Sequence, residues 1–432
     1  TASSACPLRK AAGEQKGRGV GGARWAAILR GRAPFGATGA GAAAVAPVLP
    51  RVTKRYSKEH GSRMLLARRR EPWRTEHLKF SADKYCDTKH LEAEHELLFN
   101  SLPQVVALSA DLPNSGDTLT RECGGLDVLL TRDSTQRANA FLNVCKHRSA
   151  KVMPQERSCS KRLVCPYHAW TYDLEGSLVG IPDKKSFPEM ELPQDGLMRL
   201  PIYEANGLIW VTPVINDKAA CQPTLGAFSD DFASYDLEGY KHWRSHHFEL
   251  EMNWKLVIDT FLEPYHFASL HRDTVGPIFI PNLCHVEQSG THLREVLPRR
   301  TLLELAESDP NQWDVVPHSA LVYVLFPATV FVMQIDHVET WRVKAHPDDP
   351  SQSICDLDFY IPEELAGENH QEHWEKNWKL TVDTVVNEDF LAMSGVQRGL
   401  SSGAFSSINV GANEPALGMF HSILDEEMKR NI

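Results

Sequence analysis

The strongest constraint on this chain is a pair of short loops, Cys145-Lys146-His147 and Cys165-Pro166-Tyr167-His168. Each offers one thiolate and one imidazole, and 17 residues (148–164) separate His147 from Cys165. Two thiolates and two neutral imidazoles can hold a two-iron cluster asymmetrically, with sulfur on one iron and nitrogen on the other. The same four donors also satisfy a structural zinc. Zinc fingers, however, keep like ligands together, pairing Cys with Cys and His with His in each short loop. One Cys and one His per loop suits two metals better than one. Leu142-Asn143-Val144 leads into the first loop and Ala169-Trp170-Thr171-Tyr172 leads out of the second, so β-formers flank both. The other cysteines (Cys6, Cys86, Cys123, Cys159, Cys221, Cys284 and Cys355) are scattered and form no disulfide framework, as expected of a reducing compartment.

A second chemical centre lies about a hundred residues on, in Asn253 to His271. His266 and His271 are five apart, a spacing that rotates ~140° on an ideal helix. Both can face one metal only if the helix ends or distorts, so an irregular turn is predicted between Phe267 and His271. Two imidazoles plus a carboxylate, with open positions left over, is the ligand set of non-haem Fe(II) oxygenases. The carboxylate must come from elsewhere. A helix predicted from Trp374 to about Leu400 carries Glu388-Asp389, which reads either as a ligand source or as a solvated acidic pair.

The pattern Cys-x-His-Arg followed by Cys-Pro-Tyr-His-Ala-Trp-Thr-Tyr resembles the Rieske domain of ring-hydroxylating, non-haem iron oxygenases. The order of Rieske loops, (Asp/Glu)-x2-His-x4-His and a late Asp resembles the α subunits of that family over roughly residues 72–425. The resemblance implies a [2Fe–2S] cluster on Cys145, His147, Cys165 and His168, and a mononuclear Fe(II) on His266, His271 and Asp389. It implies that Glu263 bridges a Rieske histidine of one subunit to the iron histidine of the next, in a head-to-tail homotrimer. Two departures stand out. Ser149 replaces the Gly that usually follows His-Arg, which strains the backbone mildly if that position needs φ > 0. Glu263 stands where Asp is commoner, as in carnitine-type monooxygenases.

The expected fold class is α+β: a small all-β Rieske domain, and a helix-grip catalytic domain in which an antiparallel sheet wraps a long helix. Residues 1–65 read as a basic, poorly ordered leader, 66–104 as a helical segment packing on the catalytic domain, 105–215 as the Rieske domain and 216–432 as the catalytic domain. The net charge of −10 hides an asymmetry. Residues 1–70 hold 15 Lys/Arg against Glu14 and Glu59, or +13, which leaves −23 for the remainder. An Arg-rich, acid-poor leader reads as an import signal for the plastid stroma or mitochondrial matrix. Without import, the chain would be cytoplasmic. Gly39 to Ala44 faintly echoes a dinucleotide fingerprint but lacks the preceding strand and following acid.

With no credible nicotinamide or flavin site, electrons must come from another protein, a ferredoxin or flavoprotein reductase. NAD(P)H then acts only indirectly. O2 is the co-substrate, and the target is a small molecule, an aromatic ring or a quaternary ammonium compound. Lys146, Arg148, Lys151, Arg157, Lys161 and Arg162 against Glu156 form a basic patch for an acidic donor, or a solvated loop. Phe261, Phe267, Phe326, Phe331 and Trp341 are pocket candidates, most of them expected to be core. No nucleic-acid partner or membrane span is expected. Two other classes stay open: a Rieske electron carrier without oxygenase activity, and a zinc-stabilised binding protein.

Overall fold

The runs Ala320–Leu325 and Thr329–Met333 are apolar at nearly every position, and the fold explains why: the sheet they join is covered on both faces. In the computed structural model, which describes residues 78–215, 222–305, 309 and 314–430, seven strands form one antiparallel sheet. In chain order these are β12 (Tyr240–Leu250), β13 (His285–Ser289), β14 (His292–Pro298), β15 (Ser319–Leu325), β16 (Thr329–Met333), β17 (Val338–Ala345) and β18 (Ser353–Pro362). Their spatial order is β12-β18-β17-β16-β15-β14-β13. Side chains alternate across a strand. Ala320, Val322, Val324, Val330 and Val332 therefore face one core, shared with Trp254, Trp341 and Phe420. Leu321, Tyr323, Leu325, Phe331 and Met333 face another, shared with Phe228, Phe232 and Trp210.

The N-terminal half is built from β1 (Leu78–Ser81), α1 (Thr88–Glu94, continuing as a π-turn through His95–Phe99) and strands β2 to β11. β3 (Asp117–Cys123), β4 (Leu126–Arg132), β5 (Ala138–Leu142) and β6 (Arg157–Cys159) make a four-stranded sheet in the order β5-β4-β3-β6. β7 (Leu163–Val164), β8 (Thr171–Tyr172) and β9 (Leu178–Gly180) make a small second sheet, so strands flank both Cys-His loops as the sequence suggested. β10 (Ile202–Ala205) and β11 (Leu208–Val211) pair with β2 (Gln104–Leu108). Val106 and Ala107 of β2 enter the core of the small β unit, while Val105 and Leu108 enter the second core of the large sheet. One strand thus seals two cores.

A charged network stitches the same boundary. Arg342 and Arg121 both approach Asp358, Arg121 at 3.5 Å, while Arg157 pairs with Asp111 at 2.8 Å and the Tyr360 hydroxyl donates to Asp111 at 2.9 Å.

Three further elements position the chemistry. α2 (Trp254–Asp259) starts at Asn253, whose side chain accepts from the Lys255 N–H. The long helix predicted from Trp374 to Leu400 runs from Gln371 to Ser401 in three parts: α3 (Gln371–Thr384), a π-helical turn at Val385–Phe390, and α4 (Leu391–Ser401). α5 (Pro415–Arg430) packs Phe420, Ile423 and Leu424 into the first core. Residues 1–77, and with them the basic leader, the glycine-rich echo and Cys6, lie outside the described residues, as does Cys221.

α1 is fixed to α2 by a buried ion pair. Lys255 Nζ sits 2.5 Å from Glu94 Oε1, the Trp254 indole donates to Glu94 Oε2 at 2.7 Å, and the two charged side chains are 1% and 2% exposed. Removing one partner strands a buried charge. Glu94→Leu is expected to cost about 3–5 kcal/mol in a urea melt, and the double change Glu94→Leu with Lys255→Met should recover most of it.

Candidate metal centres

The two Cys-His loops are built alike. In the first, the Ser149 N–H donates to the Cys145 carbonyl at 2.9 Å; in the second, the Ala169 N–H donates to the Cys165 carbonyl at 3.0 Å. Both turns close through a left-handed residue, Ser149 at φ 58° and Ala169 at φ 56°. The sequence reading that Ser149 occupies a glycine-like position is therefore correct, and the strain occurs twice. Such a residue costs on the order of 1 kcal/mol over glycine, which the paired turns absorb to bring the side chains together. Cys145 and Cys165 are each 2% exposed. The His147 and His168 rings are 4.6 Å apart, and His147 stacks on Trp170 at 4.8 Å.

One observation fits this loop pair to a metal cluster: His147 Nδ1 is buried and has no hydrogen-bond partner, a costly state that metal ligation of its lone pair would relieve. Burial pushes the Cys145 thiol up, so thiolate ligation there would release a proton as the metal binds. The Tyr172 hydroxyl, not singled out from sequence, lies 3.2 Å from Cys145 Sγ and accepts from the Lys146 N–H at 3.1 Å. Tyr167 and His168 are exposed, so one edge of the loop pair faces solvent.

In the second centre the predicted irregularity is present. α2 ends at Asp259, a short 3-10 helix spans Pro264–Ala268, and His271 follows in a turn. Glu263 caps that 3-10 helix: its Oε2 accepts from the His266 N–H at 3.1 Å and its Oε1 from His266 Nδ1 at 2.5 Å. His271 Nδ1 donates to Glu388 Oε2 at 2.7 Å, and Thr274 Oγ1 donates to the same oxygen at 2.6 Å. With both Nδ1 protons so engaged, both Nε2 atoms present lone pairs. They lie 3.0 Å apart, with Asp389 Oδ1 at 3.4 Å from His266 Nε2 and 3.2 Å from His271 Nε2. Three acceptors at that spacing repel one another unless a cation sits among them. His266, His271 and Asp389 are also the one group of this kind among the described residues whose donor atoms lie within 4.8 Å of one another.

The sequence reading put Asp389 forward and gave Glu388 no task of its own, whereas Asp389 lies against both imidazoles and Glu388 bonds the outer nitrogen of His271. The π-turn at Val385–Phe390 inserts an extra residue into the helix, a distortion that clusters at functional sites. It lets two successive carboxylates reach the two sides of His271. Thr260 Oγ1, also unforeseen, donates to Asp389 Oδ1 at 3.1 Å. Neither Thr260 nor Thr274 carries a sequence signal.

A cavity of about 320 Å³ opens at these three residues and runs between the sheet and α3. Phe261 and Phe267 line it, whereas Phe326, Phe331 and Trp341 are core. The basic patch is partly spent within the chain: Lys146 pairs with Asp195, Lys151 with Asp127 and Arg157 with Asp111, which leaves Arg148, Lys161 and Arg162 exposed. At the cavity wall, His337 lies between Asp336 Oδ1 at 2.7 Å and Glu339 Oε1 at 3.2 Å. Burial works against its charge, but the two carboxylates outweigh burial and push its pKa up to about 8. A raised pKa stabilises the fold fully below the unfolded value of roughly 6.5 and loses that contribution as pH rises through about 8. Stability by denaturant titration should fall by about 2 kcal/mol between pH 6 and pH 9 from this group, and His337→Gln should remove that part of the decline.

Two family models match the chain: the Rieske [2Fe-2S] domain over residues 103–202, and the ring hydroxylating alpha subunit (catalytic domain) over residues 237–430. The glycine betaine monooxygenase oxygenase subunit of Pseudomonas aeruginosa is 29% identical over 187 residues, 43% of this chain and 43% of that relative. The chain thus matches less than half the length of that relative. The carnitine monooxygenase oxygenase subunit of Escherichia coli is 25% identical over 358 residues, 80% of this chain and 92% of the relative. A quaternary ammonium Rieske monooxygenase solved with L-carnitine superposes with a TM-score of 0.68 at 19% identity, covering 81% of this chain and 95% of the other. Naphthalene 1,2-dioxygenase from Rhodococcus sp. gives 0.63 at 17% identity, covering 87% and 98%. These structural likenesses speak to the fold alone.

One expectation is overturned. The relatives are bacterial carnitine, glycine betaine and putrescine oxygenases, so the reading of an organelle, plastid stroma or mitochondrial matrix, falls. It rested on basic composition, which any Arg-rich segment shares. A carrier without a catalytic half also loses its support, because the second family model covers that half. Among the described residues, no helix is long and apolar enough to cross a membrane. A Rieske [2Fe–2S] domain followed by the catalytic domain of ring-hydroxylating α subunits places this chain in the Rieske non-haem iron oxygenases, a family of mono- and dioxygenases that use O2 and electrons from a reductase.

Proposed function

We propose that this chain is a Rieske oxygenase that hydroxylates a small organic substrate, a quaternary ammonium compound or an aromatic ring, at a mononuclear non-haem iron. The observation that carries the reading is the convergence of His266 Nε2, His271 Nε2 and Asp389 Oδ1 in the lining of a cavity that Phe261, Phe267, Val275 and Ile278 also line. In this reading, Cys145, His147, Cys165 and His168 hold the [2Fe–2S] cluster, and His266, His271 and Asp389 hold the iron. Residues 105–215 then form the electron-receiving domain and 216–432 the oxygenating one, with the helical segment 66–104 packed on the latter. When bound, the two groups supply single-electron transfer and oxygen activation; the protein supplies ligation, orientation and a dry site.

Each protein residue has a physical task. Glu263 and Glu388 fix the tautomer and ring orientation of His266 and His271, as carboxylates do for metal-bound imidazoles. Thr260 donates to Asp389 and so holds one carboxylate oxygen in place. Phe261, Phe267, Val275 and Ile278 exclude water from the substrate's flank.

The proposed head-to-tail homotrimer is supported by where the two centres meet solvent. His168 is exposed beside Tyr167, and Tyr265 is exposed beside His266. Among the described residues, no hydrogen bond, ion pair or ring contact joins Glu263 to His168 within one chain. Glu263, already held on His266, is then the group that a neighbour's His168 would meet. An acidic ferredoxin or flavoprotein reductase as donor is supported by Arg148, Lys161 and Arg162, the unpaired part of the basic patch.

Metal analysis tests the reading. About three irons and about two acid-labile sulfides per chain are expected for the oxygenase; about two irons indicate a carrier, and zinc without sulfide overturns both. O2 uptake with ferredoxin and reductase, across quaternary ammonium and aromatic compounds, then identifies the substrate. Glu388→Ala, which frees the outer nitrogen of His271, should weaken iron binding at this site about 10- to 100-fold, measured by metal titration while the cluster absorbance stays unchanged.

A further inference from the structure

We propose that Arg299 anchors a carboxylate of the substrate, so that the compound oxidised is a small organic molecule carrying a single carboxylate; the inference rests on the oxygenase reading of the same cavity. Arg299 follows the last residue of β14 and lines the cavity. It is held from behind by neutral acceptors only. Its Nη2 donates to Gln334 Oε1 at 2.7 Å, its Nε reaches the Ser319 carbonyl at 3.5 Å, and its guanidinium lies 5.2 Å from the Phe279 ring centroid. Among the described residues it forms no ion pair.

The neighbouring carboxylates already have hydrogen-bond partners. Asp336 accepts from His337 at 2.7 Å and from His373 at 2.6 Å. Glu339 accepts from His337 at 3.2 Å, from the Trp341 indole at 3.0 Å and from Thr381 at 2.9 Å. Arg299 is thus the cation on this wall left without a bonded counter-charge. A guanidinium does not escape burial by losing its proton, and a buried charge with no hydrogen-bonded counter-ion is costly. A ligand anion supplies the missing partner.

Geometry puts that anion within reach of the reacting centre. From the guanidinium, successive separations are 5.2 Å to Phe279, 5.6 Å from Phe279 to Phe267 and 5.4 Å from Phe267 to His271. These legs set only an upper bound on the separation, and Arg299, Phe267, Phe279 and His271 all line the one cavity. The planar fork of Arg299 matches a carboxylate through two parallel hydrogen bonds. Asp336, close enough for its charge to act on Arg299, disfavours a dianion such as phosphate.

The test uses the full purified holoenzyme and calorimetric binding, without turnover. The probes are benzoate and 4-(trimethylammonio)butanoate, each against its own primary amide, with inorganic phosphate as the competing anion. At least one acid is expected to bind about 10- to 100-fold tighter than its amide, the range of a charge-assisted hydrogen bond. Arg299→Gln should erase that preference and Arg299→Lys keep part of it, with cluster absorbance and iron content as in the parent. The proposal is overturned if neither acid outbinds its amide, if Arg299→Gln keeps the preference, or if phosphate binds as tightly as the acids. Metal analysis that fails while the acid preference persists removes the oxygenase reading and leaves the anion site; the converse result removes the anion site alone.

Discussion

Each of the two converging imidazoles has its outer nitrogen tied to a carboxylate, His266 to Glu263 and His271 to Glu388. This constraint comes before any metal chemistry. A neutral imidazole has one donor and one acceptor nitrogen, and the partner of the donor decides which way the acceptor points. Two carboxylates, from a 3-10 helix cap and from a π-turn, thereby aim two lone pairs at one point. The cap, the turn and the break between α2 and His271 all follow from that requirement.

The surrounding scaffold holds these parts still. α2 leads toward His266 and is pinned to α1 through Lys255 and Glu94, while α5 closes the same core from the other side. Tyr85, Asp259 and His421 form a second buried cluster there, with the Tyr85 hydroxyl 2.8 Å from Asp259 and His421 Nε2 2.9 Å from it. The chemistry thus sits on rigid elements, and an arrangement that tolerates little positional error gains from such support.

Much of the site was legible because its residues are chemically unusual at their spacing. Cys-x-His twice, and His-x4-His after an acid, have few bland explanations, and the strands around them follow from β-branched runs. What stayed hidden depends on backbone geometry or long-range contact. That Glu388 and Asp389 serve together needs the π-turn, and no propensity marks one. Thr260, Thr274 and Tyr172 are common residues whose partners lie far away in sequence. The free part of the basic patch is smaller than its sequence suggests for a related reason: local charge counting cannot see Asp195, Asp127 and Asp111 folding back onto three of its members.

The middle of the large sheet has no wet side. Its middle strands send alternate residues into two separate cores, one closed by the long helices and the other by Phe228, Phe232 and Tyr235 together with β2 and β11. A fragment without β2 and β11 would uncover the part of that core where Trp210 lies against His292 and Thr329 bonds the Val105 carbonyl, while Phe228, Phe232 and Tyr235 would still cover Tyr323 and Phe331. The half that carries the Cys-His loops therefore also covers part of the half that holds the cavity. Any swap of that half between relatives must match the shape of this seam as well as the redox centre it brings.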